Sequence, residues 1–239
     1  MRLPPPIPRD AITCAAESGL DIAVPCVAQR YNALVKDHGQ LMPIETFGRP
    51  HTSALLVGNT RALWPALKRA VAAEPRAFER DPVDRYVERT VSALQRAIVS
   101  PSRVYYSHIM GPEMVSMLHA AQASGFADRG PAYLAIHPNH GPWFALRALI
   151  VVDHPSEPSE VTAPKLCAGC PAPCVPALND AMQVSDVSTP RDGLGPDWSR
   201  WVAIRDACPH GKDARYSDAQ IRYHYALDDA GLRDHVGRT

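Results

Sequence analysis

Net charge is the first thing this chain lacks. Its 25 Lys and Arg residues meet 25 Asp and Glu residues, leaving a formal charge of zero over 239 residues. A balanced chain offers no polybasic surface, which argues against nucleic acid or an anionic membrane as partner. Long apolar runs are missing too: a membrane helix needs about 20 residues, and the best candidate, Trp143 to Val152, is broken by Arg147. The Pro-rich start, Met1 to Pro8, has no apolar core of the kind a signal peptide carries. No dinucleotide-binding glycine fingerprint and no internal repeat occur. These absences predict a cytoplasmic protein without membrane or nucleic-acid partners, a monomer or homodimer. In a reducing compartment its six cysteines are not expected to form a disulfide framework.

What is present centres on Ala135 to Arg147. An extended apolar run, Ala132 to Ile136, breaks at a turn built from Pro138, Asn139, Gly141 and Pro142; a second run follows from Trp143. Two strand-like runs joined by such turn chemistry predict a β-hairpin. Arg147 stands inside the second run, where a guanidinium needs an anionic partner or must snorkel to water. His137 and His140 lie in the turn without further spaced ligands, a pattern of polar turn chemistry and not of a metal site. At their spacing, Trp143 and Phe144 suit the core.

Elsewhere helix-like and strand-like segments alternate. Asp10 is placed to cap a short helix ending at Gly19; Leu20 to Val27 and Ser53 to Gly58 read as strands; helices follow from Arg61 to Ala73 and from an Asp81 cap with Pro82 in its first turn. Arg103 to His108 is strand-like, and Glu113 to Ser124 is helical. Asp153 to Pro164 reads as a surface crossing. Short helices are expected near Ala177 to Gln183, at Trp198 to Ala207 and at Ser217 to Leu227. Mixed order around one apolar mass predicts a single α+β domain with a C-terminal extension.

That extension holds Cys167-Ala168-Gly169-Cys170-Pro171-Ala172-Pro173-Cys174. Cys-x2-Cys-x3-Cys spacing resembles the last part of a bacterial ferredoxin run, although the proline falls one residue late, at Pro176. Cys208 is the natural fourth ligand, with His210 as alternate. A 4Fe–4S cluster, structural zinc and three unligated thiols in a loop all fit this pattern. Cys14 and Cys26, distant in sequence, read as ordinary buried cysteines.

Four blocks together resemble the CblC-type cobalamin-processing family, called MMACHC in animals. They are Arg30-Tyr31-Asn32-Ala33-Leu34; Asp81-Pro82-Val83-Asp84; Ile136-His137-Pro138 with Gly141 and Trp143-Phe144-Ala145-Leu146-Arg147; and Arg205-Asp206-Ala207 with Arg215-Tyr216-Ser217. The resemblance implies a flavin-nitroreductase-like fold, a mixed sheet with flanking helices, and an apolar cavity holding cobalamin with its lower base off the cobalt. It implies removal of the upper axial ligand, by attack of a low-molecular-weight thiol such as glutathione or by reduction. Arg147 and Arg205 match arginines that hold the thiol's carboxylates, and Leu146 matches a position beside the corrin. The division so implied is a Pro-rich arm (1–10), a cobalamin-binding core (11–153) and a cysteine-rich part (154–239) packing on the core. Carriage of cobalamin without turnover and iron–sulfur-dependent reduction of cobalamin are the alternatives. The fold relationship also leaves room for a flavin, and no residue is singled out as catalytic. Two departures matter: Ala135 replaces a cysteine that animal members carry before Ile-His-Pro, and the 113–124 helix, expected beside the corrin, matches only loosely.

Overall fold

The computed structural model describes residues 6–157, 161–184 and 195–234. At its centre two long strands pair antiparallel: β2 (Thr52–Asn59) and β6 (Ala145–Pro155). β1 (Ile22–Val27) flanks β2 and β3 (Ser102–Tyr106) flanks β6, giving the order β1-β2-β6-β3. All three ladders are antiparallel, where a mixed sheet was expected. The α+β class itself is as expected.

Side-chain alternation explains why β2 and β6 read as continuous apolar runs. Leu55, Val57, Ala148, Ile150 and Val152 face one layer, made by α1 (Arg9–Glu17), α3 (Leu63–Ala73) and α4 (Pro82–Arg96). Ala54, Leu56, Leu149 and Val151 face the other, made by α2 (Ala28–Val35) and α5 (Met117–Ala123). Helices cover both faces, so the central runs Ala54–Val57 and Ala148–Val152 are apolar at every step. Leu56, Leu149 and Ile150 are fully buried; truncating any one to Ala removes about 2–5 kcal/mol.

Several local expectations are corrected. Helix α1 starts at Arg9 after Pro8, so Asp10 lies in its first turn and does not cap it. Asp81 does stand at the start of α4, but in a left-handed conformation (φ 47°) and without a side-chain cap bond. α5 starts four residues later than Glu113: Ser116 caps it by accepting from the His119 N–H, while Glu113 pairs with Arg103 on β3. Ala135–Ile136 forms β5, which pairs with β4 (Asp128–Arg129) and not with β6, so no hairpin ladder forms. A bridge between His137 and Gly141 closes the turn instead, and Pro142 has no N–H with which to extend the pairing. Cys14 is exposed on α1, not buried as expected, while Cys26 is partly buried and packs against the α2–α5 core.

The C-terminal part joins the core. α6 (Cys174–Val184) packs on α7 (Trp198–Asp206); α8 (Asp218–Ala226) and α9 (Ala230–Arg233) follow, and Leu232 enters the layer with Phe78 and Leu67. No helix among the described residues is long and apolar enough to cross a membrane.

Candidate functional site

The site starts from an irregularity in β6. Val57 pairs with Ala148, but the next residue, Gly58, pairs with Leu146, so Arg147 is an extra, unpaired residue. Such a bulge re-aims the side chains that follow it. Regular alternation would place Leu146 beside Ala148 on the α3–α4 face; the bulge delivers it to the α2–α5 face. Gly58 permits this, because a Cβ there would lie 2.5 Å from the Ala145 carbonyl oxygen and 3.2 Å from Leu146 Cα.

Arg147 is held by its Nε, which donates to Asn59 Oδ1 at 2.7 Å; the fully buried Asn59 donates in turn to the Thr60 carbonyl at 2.8 Å. Its terminal amino groups have no hydrogen-bond partner among the described residues. Burial weakens its hold on a proton, Tyr216, Asp84 and Tyr223 oppose that, and Arg205 adds to it. Arg205, in the last turn of α7, donates from Nε to the Tyr225 hydroxyl at 2.6 Å and from Nη1 to the Pro142 carbonyl. Its guanidinium lies 5.9 Å from the Trp143 ring centre. Trp143 is therefore wall and positioning surface at once, with Arg215 at 5.4 Å and Tyr216 packed against its edge.

Sequence reasoning missed the polar groups buried near these two cations. Tyr216, directly before the Ser217 cap of α8, has a buried hydroxyl without a partner among the described residues; so do the Gln220 amide and His224 Nε2. Burial pushes His224 down to about 3, helped by the positive charges of Arg147 and Arg205, so the imidazole is neutral. Burial pushes Tyr216 up to about 12 against the same two cations. Buried polar atoms without partners cost about 1–3 kcal/mol each unless a polar guest meets them. Arg147 and Arg205, electrostatically coupled to Tyr216 and His224, thus form a buried polar cluster with two positive charges. Only Tyr216 carried a signal, as part of Arg215-Tyr216-Ser217; Gln220 and His224 look like ordinary helix surface in the sequence.

Next to this cluster opens a cavity of about 460 Å³. Met110, Met114, Met117, Tyr133, Phe144 and Leu146 wall it, and Arg205 lines it too, so Arg205 belongs both to the cluster and to the cavity wall. Met110 and Tyr133 are exposed at its rim, 74% and 75% accessible, an apolar edge left open to solvent. Ala135 lies in the wall. Arg147 does not line this cavity; it sits behind it. A larger depression of about 580 Å³, between α2, α5 and residues 161–165, contains none of the expected site residues. His137 Nδ1 accepts the N–H groups of Asn139 and His140 at 3.1 and 3.3 Å, the turn chemistry expected of it.

The four expected cysteines come together. Cys167, Cys170, Cys174 and Cys208 all line one small cavity, with His210 at its edge. Burial first, then Asp128 and the neighbouring Cys208, pushes the Cys167 thiol up to about 11. Cys208 is brought there by a close backbone clasp: a Cβ on Gly141 would lie 2.0 Å from the His210 carbonyl oxygen, and one on Gly211 2.1 Å from Gly141 N. Among the described residues no group of three ligating side chains is assembled as a metal site.

No family model matches the chain, and no curated protein is similar to it in sequence. Among solved structures it is similar to a Caenorhabditis elegans B12-trafficking protein CblC, a human MMACHC homologue, with TM-score 0.69 at 14% identity, over 96% of this chain and 97% of that one. It is also similar to an epoxyqueuosine reductase crystallised with a modified tRNA-Tyr stem loop, with TM-score 0.50 at 14% identity, over 95% of this chain and 74% of that one. At these identities the likeness is one of architecture: the chain has the CblC-like, flavin-nitroreductase-like α+β fold that its sequence motifs led us to expect.

Proposed function

We propose that this protein binds cobalamin as substrate in the Met-rich cavity and removes its upper axial ligand with the help of a thiol held by the adjoining cationic cluster. The observation that carries the reading is Arg205, which lines the apolar cavity and is electrostatically coupled to the buried Arg147. Flexible Met110, Met114 and Met117 with Tyr133 and Leu146 suit the broad face of a corrin, because methionine adapts to irregular apolar surfaces. Arg147 and Arg205 supply charge for carboxylates, and Tyr216 and His224 supply the unfilled neutral contacts. With the carboxylates fixed there, the thiolate is directed toward the cavity. Its sulfur attacks the alkyl carbon, the new C–S bond forms, and the Co–C bond breaks with its electron pair passing to cobalt. The similarity of fold to a B12-trafficking protein supports the choice of substrate.

The CblC-type motif blocks motivate a base-off bound form, and the chain has no convincing Asp-x-His-x-x-Gly motif that would replace the lower base with a histidine. Titration with methylcobalamin, followed by visible absorption before and after adding glutathione, tests both steps. A base-off shift followed by thiol-dependent loss of the alkyl band is the expected result. An unchanged base-on spectrum at saturating protein sinks the binding proposal. A base-off shift without turnover, by any low-molecular-weight thiol, favours a second reading, a carrier; Ala135 in the cavity wall, where a thiol would be near the cobalt, is the observation behind it.

A further inference from the structure

We propose that Cys167, Cys170, Cys174 and Cys208 are the ligands of one thiolate-bound metal centre. This inference goes beyond the cobalamin reading and does not depend on it. Residues 167–174 and 208 belong to separate segments, yet their four side chains wall a single space of about 20 Å³. That is roughly the room one small atom or water needs. The rest of the wall is Gly130, Pro131, Ala132, Leu134, Ile136, Ala172, Pro173 and Pro209, with His210 beside them. Among the described residues no carboxylate, amine or guanidinium lines this space, although Asp128 hydrogen-bonds Cys167 from outside it, and none of the four cysteines is paired as a disulfide.

The loop is built to aim three of them inward. The Cys167 N–H is tied to Asp128 Oδ2 at 2.8 Å, and the Cys170 N–H to the Cys167 carbonyl at 3.2 Å, closing a turn with Gly169 at φ 76°. Ala172 is held at φ 52°, a left-handed conformation that residues with a Cβ rarely adopt. It turns the chain so that Cys174 opens α6. The fourth, Cys208, is buried at the end of α7 and is fixed there by the Gly141–Gly211 clasp. Thiolates at such short spacing are soft donors, suited to zinc or to an iron–sulfur cluster and poorly suited to magnesium or calcium. The side chains close on the metal when it binds, since they are not drawn together as an assembled site without it. Leu134 walls both this space and the Met-rich cavity, so the centre stands one side chain behind the proposed cobalamin site.

The test is metal analysis on full-length protein purified anaerobically: iron, acid-labile sulfide and zinc per chain, with the visible spectrum. The expected result is one centre per chain, either iron with matching sulfide and a broad visible absorption, or colourless zinc; both support the proposal and tell its occupants apart. Cys170→Ser and Cys208→Ser should each lose most of the metal, while Cys14→Ser, exposed on α1, should keep it. Because either variant could misfold, native wild-type protein is also alkylated and mapped by mass. Cys14 should react at once, and the four cluster cysteines only after a chelator or mild acid releases the metal. Wild-type protein that holds no stoichiometric iron or zinc, even after reconstitution with either, overturns the proposal. So does a mass map in which these cysteines are joined in disulfides.

Discussion

At the scale of single residues, the site is defined by charge set among apolar neighbours. If Arg147 and Arg205 hold the thiol's carboxylates as proposed, each charge-assisted bond contributes about 1.5–3 kcal/mol. Arg205→Ala is therefore expected to raise the thiol concentration needed for dealkylation at least about tenfold, with a smaller change in cobalamin affinity. Arg147→Ala should do the same, through the buried cluster alone. Initial rates over a thiol series, beside a cobalamin titration, separate the two; unchanged thiol dependence in folded variants would show the arginines to be structural. His224 gives a pH signature. Its folded value of about 3 lies below its ordinary 6.5, so between those limits the unfolded chain binds a proton that the folded one refuses. Stability should fall as pH drops from about 6.5 toward 3, and His137, pushed down to about 4 by burial and then by His140, acts in the same direction. His224→Phe should flatten the acid limb of the thermal midpoint against pH. An acid limb as steep as that of the wild type would assign the lability to other groups.

At the scale of elements, two close backbone approaches set the geometry. One is the bulge at Arg147 opposite Gly58; the other is the clasp between the 137–143 turn and the turn after α7. Gly141 carries φ 52° and has no room for a methyl group against His210. Gly141→Ala should therefore separate the turns, cost at least about 2 kcal/mol of stability and loosen both Arg205 and Cys208. Thermal melting with parallel proteolysis of the C-terminal part checks this; a variant melting like the wild type would mean that the clasp flexes freely. The same devices show how much of the site was legible. Arg147, Leu146 and Arg205 stand out as residues in the sequence, but a bulge that moves Leu146 to the other face depends on β2, which lies almost 90 residues away in the chain. Turn chemistry at 138–142 was legible, whereas its supposed partner strand was not. Pairing is decided by what lies alongside, and β4 lies alongside β5.

At the scale of the whole molecule, the C-terminal part completes the core instead of decorating it. Trp143 is covered by Val202, Tyr216 and Ile221, and Leu232 is buried among α3 and α4 residues. A chain cut before Ser217 would strip Ile221 from Trp143 and vacate the Leu232 site together. Loss of several large buried side chains at roughly 2–5 kcal/mol each exceeds what a domain of this size can spare. Truncation at that point should give aggregated or molten protein, not a core that still binds cobalamin. Near-UV circular dichroism and size-exclusion chromatography of the truncated chain decide it, and a monomeric, folded product would show residues 217–239 to be dispensable for the fold.

What the sequence determined by itself is local. Apolar alternation, helical periodicity, proline and glycine breaks and short cysteine spacing are each set within a few residues, so strands β2 and β6, helices α3 and α4 and the Cys-x2-Cys-x3-Cys loop could be read directly. The motif blocks carried the fold class further, because their order spans most of the chain. Tertiary structure alone decided which strands pair, how the bulge turns Leu146 into the cavity, and that Cys208 meets the distant loop. It alone brought Tyr216, Gln220 and His224, unremarkable on their own helix, to leave buried polar atoms unpartnered near two cations. Those outcomes follow from burial and close approach between segments far apart in the chain, and no local pattern encodes them.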